Sequence, residues 1–457
     1  MGQKYSFCVS RITNMKIFIY LGISMLTTIT CETLNASPSN RTMQRENGYK
    51  LSDKIQYDDL TYRDNIKTVE MYRSGWRLSP PMRNLRDTSS LILEFDDLND
   101  PTTHYTYTLI HCSAEWQPSD LINTEYLSGL PENEIRDYRY SRNAHQTYKH
   151  YRLSLPNEDV QPKLPGNYIL YVYENFDSEQ PVLTRRFFIV DPLVQVMPDV
   201  HRTDNVKFLN TEQEVDFTVN YQALQPDDPR RNFKVALVQN LNWTTAITDL
   251  LPKYIQPGEL VYNYEEENLF QGGSEFLHFD TKSLKYNSDR IREIRFQPPL
   301  NHVYLLPDRP KAFSSYEFQE DINGKFLVKW DDAFDSDTEA DYVKVHFTLN
   351  TGDSIQGSDV YLFGGLTSWK TSTDNKCFYN PDNQSYEINM LFKQGYYNYS
   401  YAVRDRKNGK IDLTQINGNH YETENDYYIL VYFRDIRERF DRLVGMQAAN
   451  SVKLPQN

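Results

Sequence analysis

Cysteine is scarce in this chain, with four in 457 residues. Two of them, Cys8 and Cys31, precede the end of a secretory leader. That leaves Cys112 and Cys377, far apart in sequence and in different predicted modules. A disulfide framework is excluded on that count, and two buried thiols are expected. Basic charge is also in deficit, for Lys and Arg number 49 against 63 Asp and Glu, a net charge of −14. A sequence-independent nucleic-acid binder needs a basic stripe to neutralise phosphates, and a protein held electrostatically on anionic lipid needs the same, so both classes are disfavoured. Beyond the leader no apolar run is long enough for a transmembrane helix. Nucleophile elbows, phosphate-binding loops, paired-His motifs and Cys pairs at zinc spacing are missing, and the nine His are scattered. The sequence therefore offers no catalytic residue, no metal set and no cofactor-binding motif, and a non-enzymatic role is expected.

What is present begins at the N-terminus. From Met15 the chain reads Met-Lys, an apolar run Ile17 to Leu26, and a polar exit to Ala36. One basic residue followed by about ten apolar ones matches a signal peptide and is too short to span a bilayer. The signal region is placed at 1–36, with translation starting at Met1 or Met15. Soluble export after Ala36 is expected, lipidation of Cys31 being the alternative.

A length of 457 residues suggests about three modules of roughly 100–150 residues. Tyr outnumbers Phe, 35 to 23, which suits strands whose rings bury their bodies and keep a wet hydroxyl. Short strand-like runs recur every dozen or so residues, as in 148–155, where aromatic and apolar positions alternate with Lys, Arg and Ser. Helical periodicity of useful length is absent, and only 119–126 and 244–251 are predicted as short helices. The fold class is all-β: tandem immunoglobulin-like sandwiches. Predicted boundaries are a polar leader at 37–87, sandwiches at 88–193, 194–340 and 341–445, and a tail at 446–457. Asn323-Gly324 signals a tight hairpin rather than part of a calcium loop. The acidic stretch Asp331 to Asp341 reads as an exposed linker or long loop, with Ca2+ ligation at a junction as the alternative. Ser119 is expected to cap the first short helix and Trp116 to anchor it in the core.

Several strings carry more information than composition. They include Ile110-His111-Cys112-Ser113-Ala114-Glu115-Trp116-Gln117-Pro118-Ser119-Asp120-Leu121, Gly272-Gly273-Ser274-Glu275-Phe276, Ala340-Asp341-Tyr342-Val343 and Asp441-Arg442-Leu443-Val444-Gly445. In order and spacing, over about residues 88–445, the sequence resembles the plug protein family of the Bacteroidota type IX secretion system. Leu277-His278 and Ala144 depart from the family pattern. The resemblance implies a periplasmic protein that binds the outer-membrane translocon barrel and occludes its opening when no substrate is in transit.

The run Val360-Tyr361-Leu362-Phe363-Gly364-Gly365-Leu366-Thr367-Ser368-Trp369, with Tyr386 and Lys393 downstream, is similar to starch- and glycogen-binding early-set sandwiches. That likeness implies a sugar platform at Trp369, Tyr386 and Lys393 and supplies the alternative function, a glycan-binding periplasmic or surface module. Tyr397, Tyr399 and Tyr401 share one face of a predicted strand, so Tyr397 and Tyr399 join the candidate ligand or partner surface.

Overall fold

The computed structural model describes residues 54–99 and 103–452. The signal region, Cys31, both candidate start positions and residues 37–53 of the leader lie outside the described residues. Strands dominate, organised as three sandwiches, each around its own core, within one compact unit.

In the first sandwich a six-stranded sheet faces a four-stranded one. Strand Gly166–Glu174 lies at the centre of the larger sheet, between Tyr105–Cys112 and Asp177–Val190. The smaller sheet orders Ile66–Arg73, Leu91–Asp97, Lys149–Leu155 and Asp137–Tyr140. Alternation sends Leu91, Leu93 and Phe95 into the core. Leu60–Thr61, Ile66–Arg73 and Met82–Asn84 all pair within these sheets, so part of the predicted leader is integral to the sandwich.

The other two sandwiches do not follow the linear boundaries. Phe233–Gln239 pairs with Asp426–Phe433, which pairs with Arg442–Asn450. These three strands close the core opposite the sheet of Gln195–Arg202, Glu212–Asn220 and Glu259–Tyr262. The middle sandwich is thus discontinuous, and the predicted tail begins inside its last strand. The third sandwich runs from Leu277–Asp280 to Gly395–Asp405, threading strands predicted for the second module alongside Tyr342–Asn350 and Ser385–Lys393. Periodicity reports where a strand is, whereas its partner is set by contacts remote in sequence.

Local expectations fare unevenly. Asn323 and Gly324 both take positive φ, 52° and 76°, and form a tight turn. Yet the strand that follows, Phe326–Val328, pairs with Gly395–Asp405 and not with the residues before the turn, so no hairpin forms. The two predicted helices shrink to single turns, Asn123–Tyr126 and Trp243–Thr245. Ser119 does not cap the first: its buried hydroxyl has no partner, and Glu125 accepts the Ile122 backbone N–H instead. Trp116 is buried, packing edge-on against Phe188 and Trp243 beneath the Arg186 guanidinium. Cys112 and Cys377 are both buried and are not joined in a disulfide, and the Cys112 thiol donates to the Ile110 carbonyl at 3.7 Å. No helix among the described residues is long and apolar enough to cross a membrane.

Candidate functional site

The residues singled out by sequence do not assemble into one surface. Lys393 is 1% exposed and Tyr399 is fully buried. The Tyr397 ring is sandwiched between Phe279 and Phe326, nearly parallel to both at centroid distances of 5.0 and 5.2 Å, and its hydroxyl donates to the Lys393 carbonyl. Tyr399 and Tyr401 donate to one oxygen of the buried Asp308 at 2.9 and 2.8 Å. The tyrosine stripe is core. The reason is that this face of Gly395–Asp405 packs into the third core against Phe279, Phe347 and Phe392.

Tyr386 faces that same core, accepts the Ile355 N–H at 2.7 Å and packs edge-on against Tyr379. Lys393 projects from the opposite face of the strand that carries Tyr386, away from the third core. Trp369 is half-buried in a loop where Ser368 and Trp369 both have left-handed backbones, and its ring meets Phe276 and Phe363. Gly324 lies under it so closely that a Cβ there would come within 2.4 Å of the indole. An aromatic face with a lysine donor beside it, as sugar stacking requires, is not formed by this trio.

Lys393 instead marks a charged junction that sequence reasoning missed. Strand Leu91–Asp97 is buried along its whole length. Its second face carries Glu94 and Asp96 toward the third sandwich. Lys393 donates to Asp96 at 2.7 Å and to the Asp337 carbonyl at 2.6 Å, while its ammonium lies 4.1 Å from the Tyr148 ring centre. The other Asp96 oxygen takes His150 Nδ1 at 2.8 Å, and Tyr342 adds its hydroxyl at 2.7 Å. Burial alone would raise the Asp96 carboxyl, but Lys393 and His150 hold it below the usual range.

Arg77 pairs with Glu94 and, at 2.6 Å, with Asp337, and it lies 3.4 Å from Glu70. Glu70 is less well served, and burial pushes its carboxyl up to about 7. Glu94, His150 and Asp337 bring ligand-type atoms within 4.8 Å of one another. The Arg77 guanidinium already supplies the positive charge there, so the cluster is an ion-pair network rather than a metal centre.

The acidic stretch expected to be an exposed linker is part of this junction. Asp335 pairs with Arg139, Asp341 accepts the backbone N–H groups of His145 and Gln146, and Tyr148 donates to the Ala340 carbonyl. The start of the stretch is exposed as expected, Asp331 and Asp332 pairing with Lys329 and Lys285, and with the later carboxylates given to Arg and backbone donors the calcium alternative has no ligand set. Hints existed in the pattern: Glu94 and Asp96 interrupt an apolar strand at alternate positions, and Arg77 and Lys393 stand in aromatic-rich runs. Nothing local says that these four meet.

The first and middle sandwiches join differently. Ile110, Trp116, Phe188, Ala236, Val238, Tyr428 and Leu430 form a shared apolar cluster. Outside both junctions, Phe334 at the tip of the acidic stretch and Phe313 are fully exposed, and Trp76 is 64% exposed. Isolated exposed rings are ordinary, but large ones on an acidic body offer contact points to a partner. A groove of about 910 Å³ runs over the outer face of the third sandwich past Tyr304, Phe378 and Glu387.

Comparison with known proteins adds a lineage. The profile of the family described as type 9 secretion system plug protein, first domain, matches residues 66–191. The crystal structure of a hypothetical protein from Parabacteroides merdae ATCC 43184 superposes with a TM-score of 0.83 at 33% identity, covering 87% of this chain and 100% of that one. No curated protein matches. The profile starts at Ile66, the first residue of a strand that the sequence reading had left in the leader.

Proposed function

This chain belongs to the plug protein family of the type 9 secretion system, and on that premise we propose that it is a non-enzymatic periplasmic plug. It binds the outer-membrane translocon barrel from the periplasmic side and closes the channel while no substrate is in transit. The observation that carries this reading is the family match over the first sandwich.

Physical chemistry supports it. A pore wide enough for folded proteins leaks unless something fills its mouth, and a stopper that inserts in no membrane must be rigid. Here the three sandwiches are locked by one apolar junction and one charged junction in which carboxylates, Arg and Lys are paired. A stopper must also leave. Its contact with the barrel is therefore moderate in area and polar, closer to a transient than an obligate interface. The acidic surface and its isolated exposed rings suit that role.

Two measurements test the proposal. A tagged copy expressed in the native cell and purified from detergent extracts is expected to retrieve the barrel. Deleting the gene is expected to raise outer-membrane permeability to large solutes only when the barrel is present. Failure of retrieval together with unchanged permeability overturns the reading. The glycan-binding alternative predicts retention on polysaccharide affinity gels that Trp369→Ala abolishes.

A further inference from the structure

On the middle sandwich, strands Gln195–Arg202 and Glu212–Asn220 pair antiparallel, with His201 opposite Glu214 and Asp199 opposite Asp216. Val196, Val200, Val215, Phe217 and Val219 point inward and build the core. Alternation therefore puts His201, Glu214 and Asp216 together on the outer face. Carboxylates on an outer face are normally left to water, yet Glu214 and Asp216 are only 7% and 8% exposed.

The segment after Tyr262 covers them. Asn263 Nδ2 donates to one Asp216 oxygen at 2.7 Å and Asn268 Nδ2 to the other at 2.8 Å. Despite this enclosure, no Lys or Arg among the described residues forms an ion pair with either carboxylate. The charge facing them is that of more acids, Asp199 and Asp204, and of His201.

Two further observations bear on what these groups could bind. Asn268 is wholly buried, its Nδ2 donating to the Val215 carbonyl and to Asp216 while its Oδ1 has no partner, and the enclosed His201 Nδ1 has none either. The spacing is also telling. His201 Nε2 stands 3.6 Å from Asp216 Oδ2, too long for a hydrogen bond. Two ligands on a tetrahedral ion with bonds of about 2.0–2.1 Å sit roughly 3.4 Å apart.

We propose that His201, Glu214 and Asp216, whose ligand-type atoms all lie within 4.8 Å of one another, bind one divalent transition-metal ion, Zn2+ or Mn2+. An imidazole among the ligands favours these ions over Ca2+, which takes oxygen ligands alone. Asn263 and Asn268 orient the Asp216 carboxylate, as supporting groups around a metal do. The ion fastens the edge strand Gln195–Arg202 to its inner neighbour Glu212–Asn220. This inference is independent of the plug reading.

The test uses the full untagged mature chain, freed of metal with a chelator, in calorimetric titrations with ZnCl2, MnCl2 and CaCl2. Zn2+ or Mn2+ is expected to bind at one ion per chain and to raise the thermal midpoint, while Ca2+ binds far more weakly. Glu214→Gln and His201→Ala are each expected to weaken binding at least about tenfold. His346→Ala, which breaks the separate His302–His346 contact, leaves binding unchanged. Absence of saturable binding overturns the proposal, as does wild-type affinity in His201→Ala or loss of binding in His346→Ala. Should Glu214→Gln fail to fold, the half-exposed His201 decides the matter.

Discussion

The first sandwich meets its two neighbours in opposite ways. Toward the middle sandwich it presents Trp116, Phe188 and Ile110 against Ala236, Leu430 and Tyr428. Toward the third it presents Glu70, Arg77, Glu94, Asp96 and His150 against Asp337, Tyr342 and Lys393. The apolar contact gains stability from area removed from water and tolerates small shifts of shape. The charged contact gains little net stability over an apolar one, because desolvation offsets most of the attraction. What it adds is intolerance of error, since any displacement strands a charge in a dry place. A body built this way has one junction that holds and one that fixes the angle.

The contrast is sharpest for Lys393. Lys393→Ala leaves Asp96 buried without its ammonium and is expected to lower unfolding stability by about 3–5 kcal/mol in urea denaturation. Lys393→Met, which fills the space without charge, is expected to cost as much or more while Asp96 remains. Pairing it with Asp96→Asn restores most of the loss. The same truncation in the apolar junction, Trp243→Ala at a half-buried ring, is expected to cost about 2–3 kcal/mol, with no counterpart that rescues it. If Lys393→Ala costs less than Trp243→Ala, the charged junction is not the intolerant one.

Acidity separates the two junctions next. The folded protein holds the Glu70 proton more tightly than the unfolded chain, its carboxyl being raised from 4.5 to about 7. Below the lower value both states are protonated and Glu70 contributes nothing to pH dependence. As pH rises from about 4.5 to about 7 the folded state is penalised, by at most about 3 kcal/mol. Asp96, held low, acts in the reverse sense and at lower pH, losing its contribution on acidification below the usual carboxylate range. Asp321 is also raised to about 7 by burial, so the useful reading is a difference. Between pH 5 and 8, Glu70→Gln is expected to lose about 1–3 kcal/mol less stability than wild type, whereas Trp243→Ala keeps the wild-type slope. Equal slopes in all three would show that Glu70 titrates normally.

The smallest effect belongs to the rim of the charged junction. Arg139 pairs with Asp335 while 43% exposed, and Arg139→Ala is expected to change stability by less than about 1 kcal/mol. A larger loss would extend the intolerant zone to the surface.

Trp116 could be assigned from sequence because a lone Trp beside a strand end has few fates other than burial. The acidic stretch Asp331–Asp341 misled because charge in a run ordinarily means solvent, and its Arg partners lie some 200–260 residues away. The tyrosines of Gly395–Asp405 misled in turn, since period two fixes which residues share a face but not whether that face is wet.

What the sequence alone determined is the all-β character, the positions of many of the strands, the two buried thiols and the family, all of which rest on neighbours along the chain. Tertiary structure alone decided which strands complete which sandwich, that Lys393 faces a carboxylate rather than a ligand, and that two surface-patterned carboxylates on the middle sandwich end up enclosed. Partners in a sheet and counter-ions at a junction are chosen by proximity in space, and alternation along a strand carries no record of what will lie across from it.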